Sequence, residues 1–599
     1  MSEPPAGVRM AILSRRLEGI ARRMAHTLHR TGRSGLINTA RDLSCCILTA
    51  GHELVAEAES LPSHVLVGPD IISRWLATWH PQMRRGDAFL HNSPYHGNSH
   101  AADHCLIVPV IDDGGVHRFS VLAKAHQADI GNAQPTSYAG AARDVYEEGA
   151  LIFAGTQVQR DYADIDDILR LCRLRIRVPH QWWGDYQALV GAARIGEREL
   201  LALGREVSWE ALAQHARDWF DHSERRMAAA LQRLPSGTAT RRSTHDPFPG
   251  TPDDGVTIAA TVRIDAAEGR IEVDLRDNPD TLPNGMNVTE ANACAAAMIG
   301  VFSSLGEAVP RNAGSYRRVA IQLRAGCCAG GATHPASCSL STTNLASRIG
   351  NATQTAIAEI ADGFGLAEAG LIVPASMAVI SGRDPRYGDA PFINSLFLMH
   401  TGGAGAPHED AWLTTVHIGD LGLCYLDSVE LDELRYPLRA VGRGIVPDSE
   451  GAGRHRGAPG GFCAYAPVGT PVEVWFASDG TLNAPQGVRG GLPGGRSAQA
   501  RRAADGTLIA LAPCGGTVLR PGEVLECRCC GGGGYGDPLE RDPERVADDI
   551  AEDWIGAERG RDVYGVALDA AGRADLPATA ALRTQRRAPA VGLSHDRSG

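Results

Sequence analysis

The sequence predicts an α+β chain of several domains, with a metal-bearing, hairpin-rich N-terminal part that also holds helices and a mostly β, glycine-rich C-terminal part. Three observations predict this. Apolar residues recur at helical spacing at the start of the chain and again from about Asp164 to Leu234. Two apolar hairpins lie between those helical stretches. From about Ala375 to Cys530 glycines are dense and the apolar runs are short and alternating, which is a strand pattern. At 599 residues there is chain for roughly two to four domains with sizeable cores.

The first helix is read from Ile12, Leu17, Ile20, Met24 and Leu28, with arginines between them. "DLSCCILTAGHELVAEAE" follows as two short strands around Ala50-Gly51. "CLIVPVIDDGGVHRFSVLAKAH" is a second hairpin, and "GDYQALVGAARIGERELLAL" is the clearest of the later helices. Pro235–Gly255 is rich in Pro, Gly, Ser and Thr and reads as a linker or long loop. "VTIAATVRIDAAEGRIEVDLRD" then reads as a strand pair. Helices are expected over Asn292–Leu305 and Leu345–Ala361. A helical segment broken near Gly556 closes the ordered chain. These elements suggest divisions at 1–235 (the metal-site part), 256–370 (α+β), 371–535 (mainly β), 536–585 (helical) and a disordered tail at 586–599.

Composition excludes some classes. Hydrophobic residues are 43% and charged residues 21%, so the chain is globular. A net charge of −12 and the lack of Lys/Arg runs argue against nucleic acid and against an anionic membrane surface. The arginines within the first helix exclude a signal peptide, and no apolar run is long enough to span a bilayer. The expectation is a cytoplasmic protein. The 14 cysteines include the adjacent pairs Cys45-Cys46, Cys327-Cys328 and Cys529-Cys530, which suit neither disulfides nor zinc spacing. "ECRCCGGGG" is either a thiol site or a set of small packed residues, and packing is the commoner use.

The stretch with most chemistry is "HNSPYHGNSHAADHCLIVPVI", His91–Ile111. If Asp112–Gly115 is the turn of the second hairpin, Ile111 faces Val116 and the ladder places His126 opposite Ala101. His126 then lies beside His100 and Asp103. Neighbouring strands are about 4.8 Å apart, so these side chains can converge on one ion. Imidazole with carboxylate is the usual donor set for zinc, manganese or a related divalent ion. The second arm ends "HQAD", which repeats the His-x-x-Asp spacing with His126 and Asp129. The alternative is a polar loop in which His and Asp bond each other and cap a turn. His91, His96, His104 and His117 read as packing or surface histidines.

Other catalytic templates fit less well. "ASCSLSTTN" offers serines without a nucleophile elbow. "GGGGYGDP" lacks the lysine and hydroxyl of a phosphate loop, and no dinucleotide fingerprint is present. "TGGAGAPHEDAW", Thr401–Trp412, either lines a substrate site or simply turns the chain.

At these residues the sequence resembles the hydantoinase B/oxoprolinase family. "SPYHGNSHAAD" (Ser93–Asp103) resembles the family pattern D-P-Y-x-G-x-x-H-x-x-D, and "HQADIGN" (His126–Asn132) resembles H-H-A-D-I-G-G. "RDLSCCI", "LPNGMNVTEAN", "PDSEGAGRHRGAPGG" and "GGGGYGDPLERDPERVADDI" resemble further blocks in family order. The likeness runs from about Leu13 to Leu568. Ser93, Gln127 and Asn132 depart from the pattern, and none of them replaces a proposed ligand.

The resemblance implies a bound divalent metal (zinc, manganese or iron) with His100, Asp103 and His126 as ligands and Asp42 as the fourth. It implies Asp129 and His64 as groups that orient a ligand or carry a proton. It also implies an ATP-binding A-type partner in a hetero-oligomer. That partner would phosphorylate a small cyclic amide, and metal-activated water would then open the ring. Two other roles stay open: a component of an ATP-dependent ketone carboxylase, and a non-catalytic assembly component.

Overall fold

The computed structural model describes residues 6–58, 61–306, 308–371, 373–414 and 424–587. Its N-terminal part is built on a seven-stranded sheet. The strands are β1 (Leu43–Thr49), β2 (Leu54–Glu57), β3 (Ala88–His91), β4 (Asp103–Ile111), β5 (His117–His126), β6 (Thr156–Arg160) and β7 (Ala163–Asp164). Their spatial order is β2-β1-β5-β4-β3-β6-β7. Every residue of β4 is buried. Leu106, Val108 and Val110 face one core, and Cys105 and Ile107 face another. Burial on both faces is why "CLIVPVI" reads as an unbroken apolar run instead of an alternation.

The first face is covered by α1 (Ala6–Thr31) and by the helices Pro179–Val207 and Trp209–Leu231. In α1 the buried stripe is Leu13, Leu17, Ile20, Met24 and Leu28. Ile12, expected on that stripe, is 50% exposed. Five residues separate it from Leu17, which turns it about 140° away at 100° per residue, whereas Leu13 sits one turn before Leu17. Leu17, Met24 and Leu28 are fully buried at about 1.5–3 kcal/mol each, enough to fix the helix on the sheet. The opposite face holds Ile72 and Leu76 of the helix Pro69–Trp79.

The first half of the segment read as a linker is strand, and residues 246–255 are the loop expected. Residues Gly237–His245 form β8, which pairs along its whole length with β9 (Val256–Asp265), and β9 pairs with β10 (Arg270–Asp274). The Thr hydroxyls that suggest a loop hydrogen-bond across the pair, Thr240 to Thr261 and Thr244 to Thr257. Such pairs stabilise an exposed strand face, a gain that composition alone does not reveal. β11 (Val319–Gln322) adds in parallel to β10. The helices Glu290–Ser303 and Asn344–Ile360 fall within a residue or two of the expected spans and pack in the core of this sheet.

From Ala375 to Cys530 the regular elements are mostly strands. A four-stranded sheet orders Ala390–Ser395, Val379–Asp384, Val472–Ala477 and Cys514–Leu519. A five-stranded sheet orders Leu438–Ile445, Gly461–Pro467, Val524–Arg528, Ala498–Arg502 and Leu508–Ala510. Between them the run Gly531–Gly534 threads a core made of backbone. The four N–H groups donate to carbonyls of four separate places: Gly495, Ala458, Glu368 and Leu492. A Cβ on Gly531 would sit 1.7 Å from Ser449 O, and one on Gly532 1.8 Å from Gly403 O. Only glycine admits such close approach. The glycines of Thr401–Trp412 serve the same packing, with Gly402 N–H donating to Cys530 O and Gly405 N–H to Gly533 O. The described part ends in the helices Pro543–Ala551, Ala557–Asp562 and Leu576–Arg587, with the expected break at Gly556. Of the expected disordered tail, Arg586 and Arg587 end the last helix, and 588–599 lie outside the described residues. No helix among the described residues is long and apolar enough to cross a membrane.

Candidate metal centre

The second hairpin sets the centre, in a register two residues from the one expected. Asp112 N–H donates to Val116 O, so the loop is Asp113–Gly115 and one residue shorter than the four assumed. A bulge between Val110 and Ile111 shifts the ladder once more. His126 therefore pairs with Asp103, not Ala101. On its other side β5 runs against β1 with Leu43 opposite Ala125, and His126 N–H donates to Asp42 O. Asp42, His126 and Asp103 thus form a row across three adjacent strand ends. His100 joins from the turn before β4, whose Asp103 N–H donates to His100 O.

Three donor atoms form a near-equilateral triangle. His100 Nε2 lies 3.1 Å from Asp103 Oδ1 and 3.2 Å from His126 Nδ1, and His126 Nδ1 lies 3.2 Å from Asp103 Oδ1. Ligands about 2.1 Å from a shared ion stand about 3.0 Å apart at right angles and about 3.4 Å apart in a tetrahedron, so these edges fit one cation. Asp42 closes a further side, with Oδ2 3.9 Å from His126 Nδ1. His100, Asp103 and His126 are the three-residue metal-type cluster found among the described residues, and each is buried.

The outer nitrogens are held. His100 Nδ1 donates to Ser339 O at 2.9 Å, which leaves its Nε2 lone pair facing inward when the ring is neutral. His126 Nε2 bonds the Ser137 hydroxyl at 2.9 Å. His64, on the short helix Pro62–Val65, is arranged differently. Ser44 Oγ accepts from Leu61 N–H and lies 3.2 Å from His64 Nδ1. With the Ser44 hydroxyl donating to Nδ1, His64 presents an Nε2–H between Asp103 Oδ2 at 3.1 Å and Asp42 Oδ1 at 3.6 Å. His64 is therefore set to carry a proton where His100 offers a lone pair.

Burial sets the charge states. It lowers the pKa of His64 and of His126, outweighing the nearby Asp103, and so favours neutral imidazoles. In His100 burial works the same way, but the Asp103 charge and hydrogen bond overcome it and raise the pKa. Asp103 is itself desolvated, yet His100 and His64 hold its carboxyl well below the usual range. Burial, with Asp42 and Asp103, raises Tyr138, which stays a phenol. Together these groups line a cavity of about 40 Å³, closed by Leu61, Met377, Phe397 and Cys424. That is room for an ion and about one water.

A sequence profile of the hydantoinase B/oxoprolinase family matches residues 6–538. The chain belongs to this family. It is 27% identical over 588 residues to the beta subunit of the caprolactamase of Pseudomonas jessenii, covering 96% of this chain and 98% of that one. It is 26% identical over 592 residues to the B-type component of a putative D-/L-hydantoinase of Pseudomonas sp. (strain NS671), covering 95% and 96%. The crystal structure of the ATP-dependent caprolactamase from Pseudomonas jessenii superposes with a TM-score of 0.86 at 24% identity, covering 97% of this chain and 100% of that chain. Nucleotide-free acetone carboxylase gives 0.86 at 18%, covering 97% and 83%. These two likenesses show the fold, which is the mixed α+β architecture described above.

Within this family member the aspartate of the second His-x-x-Asp unit does not join the cluster, although its His126 does. Asp129 accepts from Gly131 N–H, Arg177 N–H and Val178 N–H and pairs with the Arg177 guanidinium at 3.2 Å. It fixes a loop and does not line the metal cavity. The structure places the carboxylate expected to orient a ligand or act on substrate on loop backbone and Arg177, outside the cavity lining. Gln127 donates to Ala125 O, Ser93 Oγ bonds His96 Nδ1, and Asn132 donates to Thr136 O, so the three departures from the family pattern also face away. The serine-rich "ASCSLSTTN" has an unexpected part: the Ser339 carbonyl fixes His100 across 239 residues of chain, and Thr342 and Thr343 line the cavity. The cysteines of "ECRCCGGGG" are buried and free of disulfides, and burial raises Cys530 to about 12, in keeping with packing.

Proposed function

We propose that this chain is the metal-bearing B-type component of an ATP-dependent cyclic amidase of the hydantoinase, 5-oxoprolinase or lactamase type. One observation carries the reading: three imidazoles and two carboxylates from distant parts of the chain meet in a buried cavity sized for an ion and a water. Family membership and the names of the relatives support the activity class and an A-type partner. His100 Nε2, Asp103 Oδ1, His126 Nδ1 and Asp42 would hold a divalent ion, which supplies Lewis acidity and makes a nearby water more acidic.

An amide carbon is a poor electrophile. In this reading the partner transfers a phosphoryl group from ATP to the amide oxygen, and the carbon becomes open to attack. Water adds there, its proton goes to the His64 Nε2 lone pair in the tautomer whose Nδ1–H donates to Ser44 Oγ, and the ring C–N bond breaks. The nitrogen takes up a proton and leaves as an amine, and hydrolysis of the remaining acyl phosphate yields carboxylate and phosphate. Tyr138, Leu61 and Phe397 keep bulk water away from the activated carbon.

The test assays the purified chain with and without its A-type partner and ATP on caprolactam, hydantoin and 5-oxoproline, with and without bicarbonate. Ring opening is expected only with partner and ATP, and without need of bicarbonate. Ring opening by the chain alone would overturn the two-component reading, and a strict bicarbonate requirement would favour a carboxylase.

A further inference from the structure

A second chamber, a cleft open to solvent in which Arg22, His26, Arg41 and Tyr425 are exposed, adjoins the metal cavity. It has a volume of about 300 Å³, at the lower end of small-molecule pockets, and its lining includes Arg22, His26, His29, Arg41, Leu61 and Tyr425. Leu61 stands as a wall between the two and lines both. Asp42 faces the metal cavity while Arg41 faces the chamber, and Cys424 faces the cavity while Tyr425 faces the chamber.

The wall is built, not incidental. Tyr425 N–H donates to Ala40 O at 3.0 Å, and the Arg41 guanidinium stacks 3.9 Å over the Tyr425 ring. Arg41 has φ 59, the left-handed region, which costs a non-glycine residue about 1 kcal/mol or more. That turn lets consecutive side chains point to opposite sides of the wall. On the far side Arg22, His26 and His29 stand at i, i+4 and i+7, one face of α1. Arg22 also reaches Glu18 at 3.7 Å, and among the described lining residues Arg22 and Arg41 are cations and none is a carboxylate. Burial lowers the pKa of His29, and the charge of Arg41 adds to the effect.

We propose that this chamber is an anion-binding vestibule that takes the phosphoryl group of the activated amide on its way to the metal cavity. Guanidinium groups bind phosphoryl oxygens bidentately, and two of them with imidazoles suit a dianion. The inference rests on the cyclic-amidase reading for the identity of the anion. A carboxylate product shares the same chemistry, so the experiment separates the two.

The test uses the complex with the A-type partner, ATP and whichever of caprolactam, hydantoin and 5-oxoproline it opens. R22Q, H29Q and R41Q are compared with R41K and wild type. ADP formed per ring opened should rise at least threefold in R22Q and R41Q, because the activated amide is lost to water. Inhibition by inorganic phosphate should weaken about tenfold, while metal content and inhibition by the ring-opened acid stay as in wild type. R41K should recover part of both effects. An unchanged ratio and unchanged phosphate inhibition in metal-replete R22Q would overturn the proposal, as would weakening of inhibition by the ring-opened acid alone. If wild type shows no coupled turnover, the amidase reading fails by itself. Binding of inorganic phosphate to the metal-loaded chain by calorimetry, wild type against R22Q, then still decides whether the vestibule exists.

Discussion

The aspartates of the two His-x-x-Asp units, Asp103 and Asp129, look alike in sequence and should behave oppositely when mutated. In Asp103→Asn the side chain keeps its shape but loses its charge. Asp103 Oδ1 is 3.1 Å and 3.2 Å from two candidate ligand nitrogens, and Oδ2 faces His64 at 3.1 Å. Replacing groups that only touch a ligand usually costs 10–100-fold in metal affinity. Replacing a ligand should cost at least about 100-fold, or about 2.7 kcal/mol. By linkage the same amount of metal-dependent stabilisation disappears at a fixed, saturating metal concentration. Asp129→Asn should keep its metal and instead lose stability, by about 1–3 kcal/mol, because the charge accepting from Arg177, Val178 and Gly131 is gone. The assay is competition of metal-stripped protein with a chromogenic chelator for zinc and for manganese, with elemental analysis after dialysis and circular dichroism as a check on folding. Asp103→Asn with wild-type affinity, or Asp129→Asn losing metal while still folded, would refute the assignment of the site.

Gln127→His should leave the pH–rate profile and metal content unchanged, because residue 127 bonds Ala125 O and does not line the cavity; a new ionisation in the profile would show that it reaches the reacting atoms. Burial pushes the Asp185 carboxyl up to about 6, from an unfolded value near 4, so its contribution is fully present below about pH 4 and is lost as pH rises through 6. Asp185 Oδ1 accepts from Arg33 and Ser34 N–H, bonds that an Asn oxygen can keep. Asp185→Asn should therefore gain on wild type between pH 4 and 7, by no more than about 3 kcal/mol, seen as a widening gap in urea midpoints; a constant gap would contradict the argument. Gly532→Ala should cost upwards of about 3 kcal/mol or prevent folding, with its Cβ 1.8 Å from Gly403 O, whereas Gly444→Ala, with nothing within 4 Å, should be tolerated; similar thermal midpoints would mean that the glycine core is loose.

Much of this architecture was legible because it rests on local pattern. Helical spacing placed α1 and the helices near 290–303 and 344–360, since a periodic apolar stripe needs only one face to bury. Alternation and turn residues placed both hairpins. β8 was missed because its Thr and Arg residues are those of a loop until a partner strand supplies cross-strand bonds. The choice of His100, Asp103 and His126 was legible from ligand-type residues beside an apolar strand, and Asp42 and His64 only through family likeness.

By itself the sequence determined the elements, the family and the donor types at the centre, because these depend on residue identity and short-range spacing. Tertiary structure decided which aspartate of two identical spacings joins the histidines. A bulge at Val110–Ile111 and a three-residue loop shift the ladder by two and set His126 against Asp103. Arg177, 48 residues on, draws Asp129 away. Ser339, 239 residues on, turns His100 so that its lone pair faces inward. Register and distant hydrogen bonds are properties of the packed chain, and no local window of sequence contains both partners.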